Sequence, residues 1–156
     1  MLLVLCGCQS ERARHPSAPP IPKTLPDAPL NHLSFSESHS YYARVQGYEF
    51  RAEDSQYTVY FEMANEEEPY PIPVDQAWVD MLTSFIRQYD MMAWDGFSGS
   101  DSMLLDGTHF YISFSFQDGT AVTASGYGRF PAGYGDASAA IKAHFLQLLP
   151  EDMRDW

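Results

Sequence analysis

The chain has 156 residues, with nine Lys+Arg against 21 Asp+Glu, a formal net charge of −12 and 15% aromatic residues. That length allows one hydrophobic core, and the aromatic content excludes a disordered polymer. The charge argues against nucleic acid and anionic lipid as partners, and no run approaches the roughly 18 apolar residues of a spanning helix.

At the N-terminus, Leu5-Cys6-Gly7-Cys8 reads as a lipobox, with Cys8 as the lipidation site. Met1–Leu5 is shorter than the apolar run of about 7–15 residues in a full signal peptide and has no Lys or Arg before it. Residues 1–8 therefore read as a partial signal peptide; the alternative is two ordinary thiols on a frayed terminus. Residues 9–33 read as a linker carrying Pro16, Pro19, Pro20, Pro22, Pro26 and Pro29. Such a segment buries too little apolar surface to offset its ordering entropy, and in polyproline form it reaches about 70 Å. Gln9 and Ser10 after Cys8 offer no aspartate for inner-membrane retention, which points an anchored protein to the outer membrane or cell surface. Residues 34–156 remain as a single domain without cysteine, so it has neither disulfides nor a Cys-ligated metal site.

Within that domain the first strand is expected over Ser40–Gln46 and Tyr48–Arg51, with a bulge at Gly47 where the apolar phase shifts. After a turn at Glu53-Asp54-Ser55, Gln56–Ala64 alternates, with Tyr57, Val59, Phe61 and Met63 on one face and Thr58, Tyr60 and Glu62 on the other. Asn65–Glu68 with Pro69, Pro71 and Pro73 ends this strand. A helix is expected over Val74–Ala93, its stripe being Trp78, Met81, Leu82, Phe85, Ile86 and Tyr89, with Asp75 in the first turn. A loop, Trp94–Asp101, leads through Leu104-Leu105 and Asp106-Gly107 to a strand in which Phe110, Ile112, Phe114 and Phe116 alternate with polar residues. Asp118-Gly119 supports a hairpin turn into Ala121–Ser125. The loop Gly126–Gly135 delivers a last helix, capped by Asp136, striped by Ala137, Ile141, Phe145, Leu148 and Leu149, and stopped by Pro150.

The order ββα–ββα implies an α+β two-layer sandwich: an antiparallel sheet of about four strands with two helices on one face. Its other face would show Tyr60, Tyr111, Ser113, Ser115 and Thr123 to solvent, together with Arg44.

Three constellations bear on function. Asp95, Asp101 and Asp106, with the hydroxyls of Ser98 and Ser100, supply oxygens that a hard cation would take. The spacing nevertheless departs from an EF-hand, with Phe97 and Gly99 at ligand positions, and Asp-Gly pairs are ordinary turn formers. The loop Gly126–Gly135 is rich in glycine and feeds a helix N-terminus, yet has neither a dinucleotide-binding nor a Walker pattern. Tyr127, Arg129, Phe130 and Tyr134 suit peptide or glycan contact, with Trp94 and Tyr111 alongside; the alternative is a connector whose Phe130 and Tyr134 close the core edge. Finally, a sheet face of Tyr, Ser and Thr is both the default solvated surface and the composition of adaptable binding surfaces. No catalytic residue can be named, because Ser125 lies outside a G-x-S-x-G elbow and His109 and His144 have no evident nucleophile. No cofactor is implied.

Trp94-Asp95-Gly96-Phe97, Leu105-Asp106-Gly107, Ser113–Gly119, Ala124-Ser125-Gly126, Phe130-Pro131 and Tyr134 give residues 94–149 a resemblance to a module of uncharacterised bacterial lipoproteins. That resemblance implies export and carries no activity. Ala124-Ser125-Gly126-Tyr127 also resembles the Ser-Gly loop of lipoprotein inhibitors of lysozyme, although those domains are all-β and held by cysteines. The resulting expectation is a lipid-anchored, non-enzymatic envelope protein that binds a protein, peptide or glycan. An inhibitor of a secreted hydrolase is the alternative, and an uncharacterised hydrolase a further one.

Overall fold

A computed structural model describes residues 23–38, 45–101, 103 and 107–154. Seven strands, two helices and two short 3₁₀ turns follow one another: β1 Leu30–Ser38, β2 Val45–Glu53, β3 Gln56–Met63, β4 Tyr70–Val74, α1 Gln76–Gln88, a 3₁₀ turn at Met91–Trp94, β5 Ser98–Ser100, β6 His109–Phe116, β7 Ala121–Tyr127, α2 Tyr134–Leu146 and a 3₁₀ turn at Glu151–Met153. The strands form one sheet in the order β4-β3-β2-β1-β6-β7-β5. All neighbours are antiparallel except β5 and β7, which run parallel.

The four-strand ββα–ββα sandwich is therefore wrong, because three further strands make the sheet mixed and seven-stranded. The largest omission is β1. It begins at Leu30, inside the stretch read as linker, and occupies the centre of the sheet between β2 and β6. Its core side presents Leu33 and Phe35, both buried, while His32, Ser34 and Ser36 face away. The prolines just upstream give its first residues the look of a linker, and its serines are what a sheet with one open face requires at every second position even in a central strand. The proline segment after Glu68 is a second omission, since Tyr70–Val74 pairs with β3. Proline survives there because the strand lies at the sheet edge, where a missing N–H costs no ladder bond. The third, Ser98–Ser100, is too short to leave a periodic signal.

Local chemistry sets the other boundaries. The bulge at Gly47 is present as a register shift between Val45 and Gly47. Asp75 is the N-cap of α1, its side chain accepting the Trp78 N–H at 2.9 Å, rather than a first-turn residue. That helix stops at Gln88, and Asp90 in the left-handed region (φ 48°) turns the chain into the 3₁₀ segment that was expected to continue it. α2 starts earlier than Asp136, from Gly133 at φ 75°.

Both helices pack on the same face of the sheet. Trp78 of α1 meets Phe50 at 6.1 Å, and Phe145 of α2 meets Tyr48 at 5.3 Å and Phe61 at 6.3 Å. Phe35, Phe50, Phe61, Phe110, Phe114 and Phe145 are all fully buried, each contributing about 1.5–3 kcal/mol of transfer free energy. The helices join through His144, whose ring stacks on Trp78 at 4.3 Å. Its Nε2 donates to the Trp78 carbonyl at 3.0 Å, and its Nδ1 accepts from Gln147 Nε2 at 2.9 Å. A neutral imidazole satisfies both bonds at once. Among the described residues no helix lies on the opposite face of the sheet.

Candidate functional site

The open face is built by strand register. Cross-strand pairing aligns Tyr60, Glu49, Ser34, Ser113 and Thr123 in one row across β3, β2, β1, β6 and β7. The adjacent row aligns Glu62, Gly47, Ser36, Tyr111 and Ser125. Small residues therefore fall in the middle of both rows, with Tyr60 and Glu62 on the β3 side and Tyr111 on β6. The result is a trough of about 300 Å³ floored by Ser34, Ser36, Gly47 and Ser113, with Tyr60 and Tyr111 as walls. The wall strands β3 and β6 stand three strand spacings apart, about 14 Å. Tyr111 is 39% exposed, so one wall is open to an incoming ring or cation.

Charge is concentrated along the side of the trough formed by β2 and β3. Glu49 Oε1 accepts from His32 Nε2 at 2.8 Å and from Arg51 Nε at 2.9 Å, and Oε2 accepts from Arg51 Nη2 at 2.8 Å. Partial burial works to raise the Glu49 carboxyl, but the hydrogen bonds and charges of Arg51 and His32 outweigh it, and the net displacement is downward. Glu49 is thus held as a carboxylate, unlike a proton donor poised for acid catalysis at neutral pH. Arg51 in turn lies over the Tyr60 ring, its Cζ 4.8 Å from the centroid. Glu62 is exposed and folds over Gly47, with Oε2 2.5 Å from where a Cβ on that glycine would stand. Among the described residues Glu62 forms no ion pair.

The residues singled out from sequence separate into two places. Tyr111 is on the trough. Trp94, Phe130 and Tyr134 instead form an aromatic cluster at the end of the core: Tyr134 lies 4.5 Å from Phe110, 4.7 Å from Phe130 and 6.0 Å from Trp94. Trp94 Nε1 donates to the Ala132 carbonyl at 3.1 Å, which ties this loop to the 3₁₀ turn. Tyr134 is buried, and burial first, then the Glu37 carboxylate, raises its phenol. The same two causes push Tyr48 up to about 12. Glu37, on the helix side of the sheet, pairs with Lys142 at 2.6 Å. Phe130 is 39% exposed and packs its ring into the cluster, and Arg129 is exposed beside it. Tyr127 is half-buried and its hydroxyl accepts the Gly107 N–H at 2.9 Å.

The acidic loop is likewise used locally. Asp95 pairs with Lys23 at 2.8 Å and accepts the Thr123 N–H at 3.3 Å, while Asp101 accepts the Met103 N–H at 3.0 Å. Asp106, Arg44 and Cys8 lie outside the described residues. Among the described residues no three His, Cys, Asp or Glu side chains cluster as metal ligands would. Ala124–Tyr127 runs inside β7, with Ser125–Tyr127 paired on both sides, and does not project as a loop.

His32, Ser34, Ser36, Gly47, Glu49 and Glu62 are site residues that sequence reading did not select. The available signal was the alternation of His32, Ser34 and Ser36 with Leu33 and Phe35, hidden by assigning the start of that run to the linker. Compared with known proteins, the chain matches no family model and no curated sequence significantly.

Proposed function

We propose that the protein is a non-catalytic binding module of the cell envelope, held to the outer membrane or cell surface by a lipid on Cys8, whose ligand site is the trough on the open sheet face. The observation that carries this reading is the trough itself, a concave surface with tyrosine walls, a hydroxyl floor and a fixed carboxylate, on a face that no helix of the described residues covers. Rigid strands hold these groups, so little ordering entropy opposes binding. Edge pairing is a poor alternative mode at β4, because Pro71 and Pro73 offer no N–H to an added strand. Residues 9–22, with four of the prolines, ahead of the docked Lys23, Leu25 and Ala28, would let the domain reach away from the bilayer.

The test uses the full chain as bait in an envelope extract, beside Ser36→Trp, which fills the floor, and Arg129→Ala, which alters the glycine-rich loop. A stoichiometric partner retained by Arg129→Ala and lost by Ser36→Trp, with melting temperatures matched, is the expected result. A partner indifferent to Ser36→Trp overturns the assignment of the site. Cys8→Ala should release the protein from membranes; unchanged membrane association would overturn the anchor.

A further inference from the structure

We propose that the trough is a seat for a cation, specifically a lysine ammonium presented by a partner protein; this rests on the open face being the binding site. Among the described residues the trough is lined by Glu49, Glu62, His32, Tyr60, Tyr111, serines, Gly47, Pro69 and the core residues Phe35 and Tyr48, with no lysine or arginine. The two carboxylates are not equivalent. Both oxygens of Glu49 are already engaged by Arg51 and His32, so it acts as a fixed background charge. Among the described residues Glu62 is the carboxylate left to pair with something from outside, and it leans inward over Gly47 because that residue has no side chain.

Aromatic walls complete the seat. A tyrosine face attracts a cation through the ring quadrupole, and the chain already does this internally, with Arg51 over Tyr60 at 4.8 Å. Tyr111 across the trough offers the same chemistry unoccupied and 39% exposed. Ser34 and Ser36 hydroxyls on the floor can accept the remaining ammonium protons.

The form of the surface favours a protein as the carrier. There is one cation seat, not a line of aromatic platforms along which successive sugar rings could stack. Around it the open face bears Thr58, Ser115, Thr123 and Ser125. One anchor inside a polar rim is the anatomy of a protein interface organised about a single hot spot. A net charge of −12 would steer a basic partner to this chain and make association salt-dependent.

Nitrogen-15 NMR titration of the full chain tests this with three probes: a Gly-Ser-Lys-Ser-Gly peptide with both termini blocked, the same blocked peptide with its lysine acetylated, and a glucosamine tetramer. The lysine peptide should shift the amides of Ser34, Ser36, Gly47 and Ser113. Acetylation should weaken binding about tenfold, as one charge-assisted hydrogen bond would. Glu62→Gln should do the same with an unchanged melting temperature, and 0.5 M salt should weaken the lysine peptide more than the acetylated one. Equal binding of both peptides at those amides would overturn the cation seat while leaving the trough as a binding site. Tighter, charge-dependent binding of the glucosamine tetramer would overturn the protein carrier. No shift at those amides with any probe would overturn the seat and the site together.

Discussion

Gly126 and Gly47 show how one missing side chain can serve opposite ends. A Cβ on Gly126 would collide with the Arg129 carbonyl oxygen and stand 2.6 Å from Phe110 Cε1, both held by the fold. Gly126→Ala should therefore cost about 1–3 kcal/mol, read from chemical denaturation, because backbone must move. A Cβ on Gly47 meets chiefly the far end of the Glu62 side chain, which can swing away. Gly47→Ala should keep the melting temperature within about 2 °C and still weaken trough binding, since it fills the floor. His144 supplies a pH test. Burial lowers its imidazole, with the hydrogen bond to the Trp78 carbonyl working the other way, so the unfolded chain binds this proton more readily than the folded one. Its contribution is complete above the unfolded value of about 6.5 and is lost as pH falls through it toward the depressed folded value. Melting scans between pH 7 and 5 should show a decline that His144→Gln reduces; parallel profiles for the two proteins would refute this role. Glu49 acts in a lower window, below the ordinary glutamate range, because its folded carboxyl is the more acidic form.

At the scale of elements, β1 decides the architecture, since it joins the β2–β3–β4 and β6–β7–β5 sides of the sheet. Phe35 is fully buried there, stacked 5.9 Å from Tyr48, and Phe35→Ala should cost about 3–5 kcal/mol in denaturant unfolding. β4 makes the complementary prediction. Replacing Pro71 and Pro73 by threonine restores two N–H groups on an edge strand and should produce concentration-dependent self-association by light scattering. These two strands also mark what could be read from sequence. Strands with clean alternation of large apolar residues, such as Phe110–Phe116, and the Trp78, Leu82 and Ile86 part of the α1 stripe were legible because burial of one face dictates them, whereas Met81 of that stripe is exposed. β1 was not legible, because the prolines just upstream give its first residues the look of a linker. β4 was not, because proline signals an edge as well as an end, and only the partner strand distinguishes the two. The trough shared this fate: Tyr60 and Tyr111 were visible as open-face residues, but their spacing depends on β1 lying between them. The glycine-rich loop looked more like a site than it is, because Phe130 and Tyr134 read as contact residues until Phe110 is seen beneath them.

As a whole, the molecule is a sheet with its hydrophobic work done on one side and its charged and aromatic polar residues displayed on the other. The helix side carries a second depression of about 590 Å³ between α1 and α2, lined by Met81, Phe85, Ala140 and Gln147. Three exposed and oxidisable side chains thus report separately on three surfaces: Tyr111 (39% exposed) on the trough, Phe130 (39%) on the glycine-rich loop and Met81 (49%) on the helix groove. Hydroxyl-radical footprinting of the full chain, free and in its native envelope, compares them in one experiment. The trough account predicts that Tyr111 is protected in the envelope while Phe130 and Met81 oxidise as in the free protein. Protection of Phe130 or Met81 with Tyr111 unchanged would contradict it and move the interface to the loop or the helices.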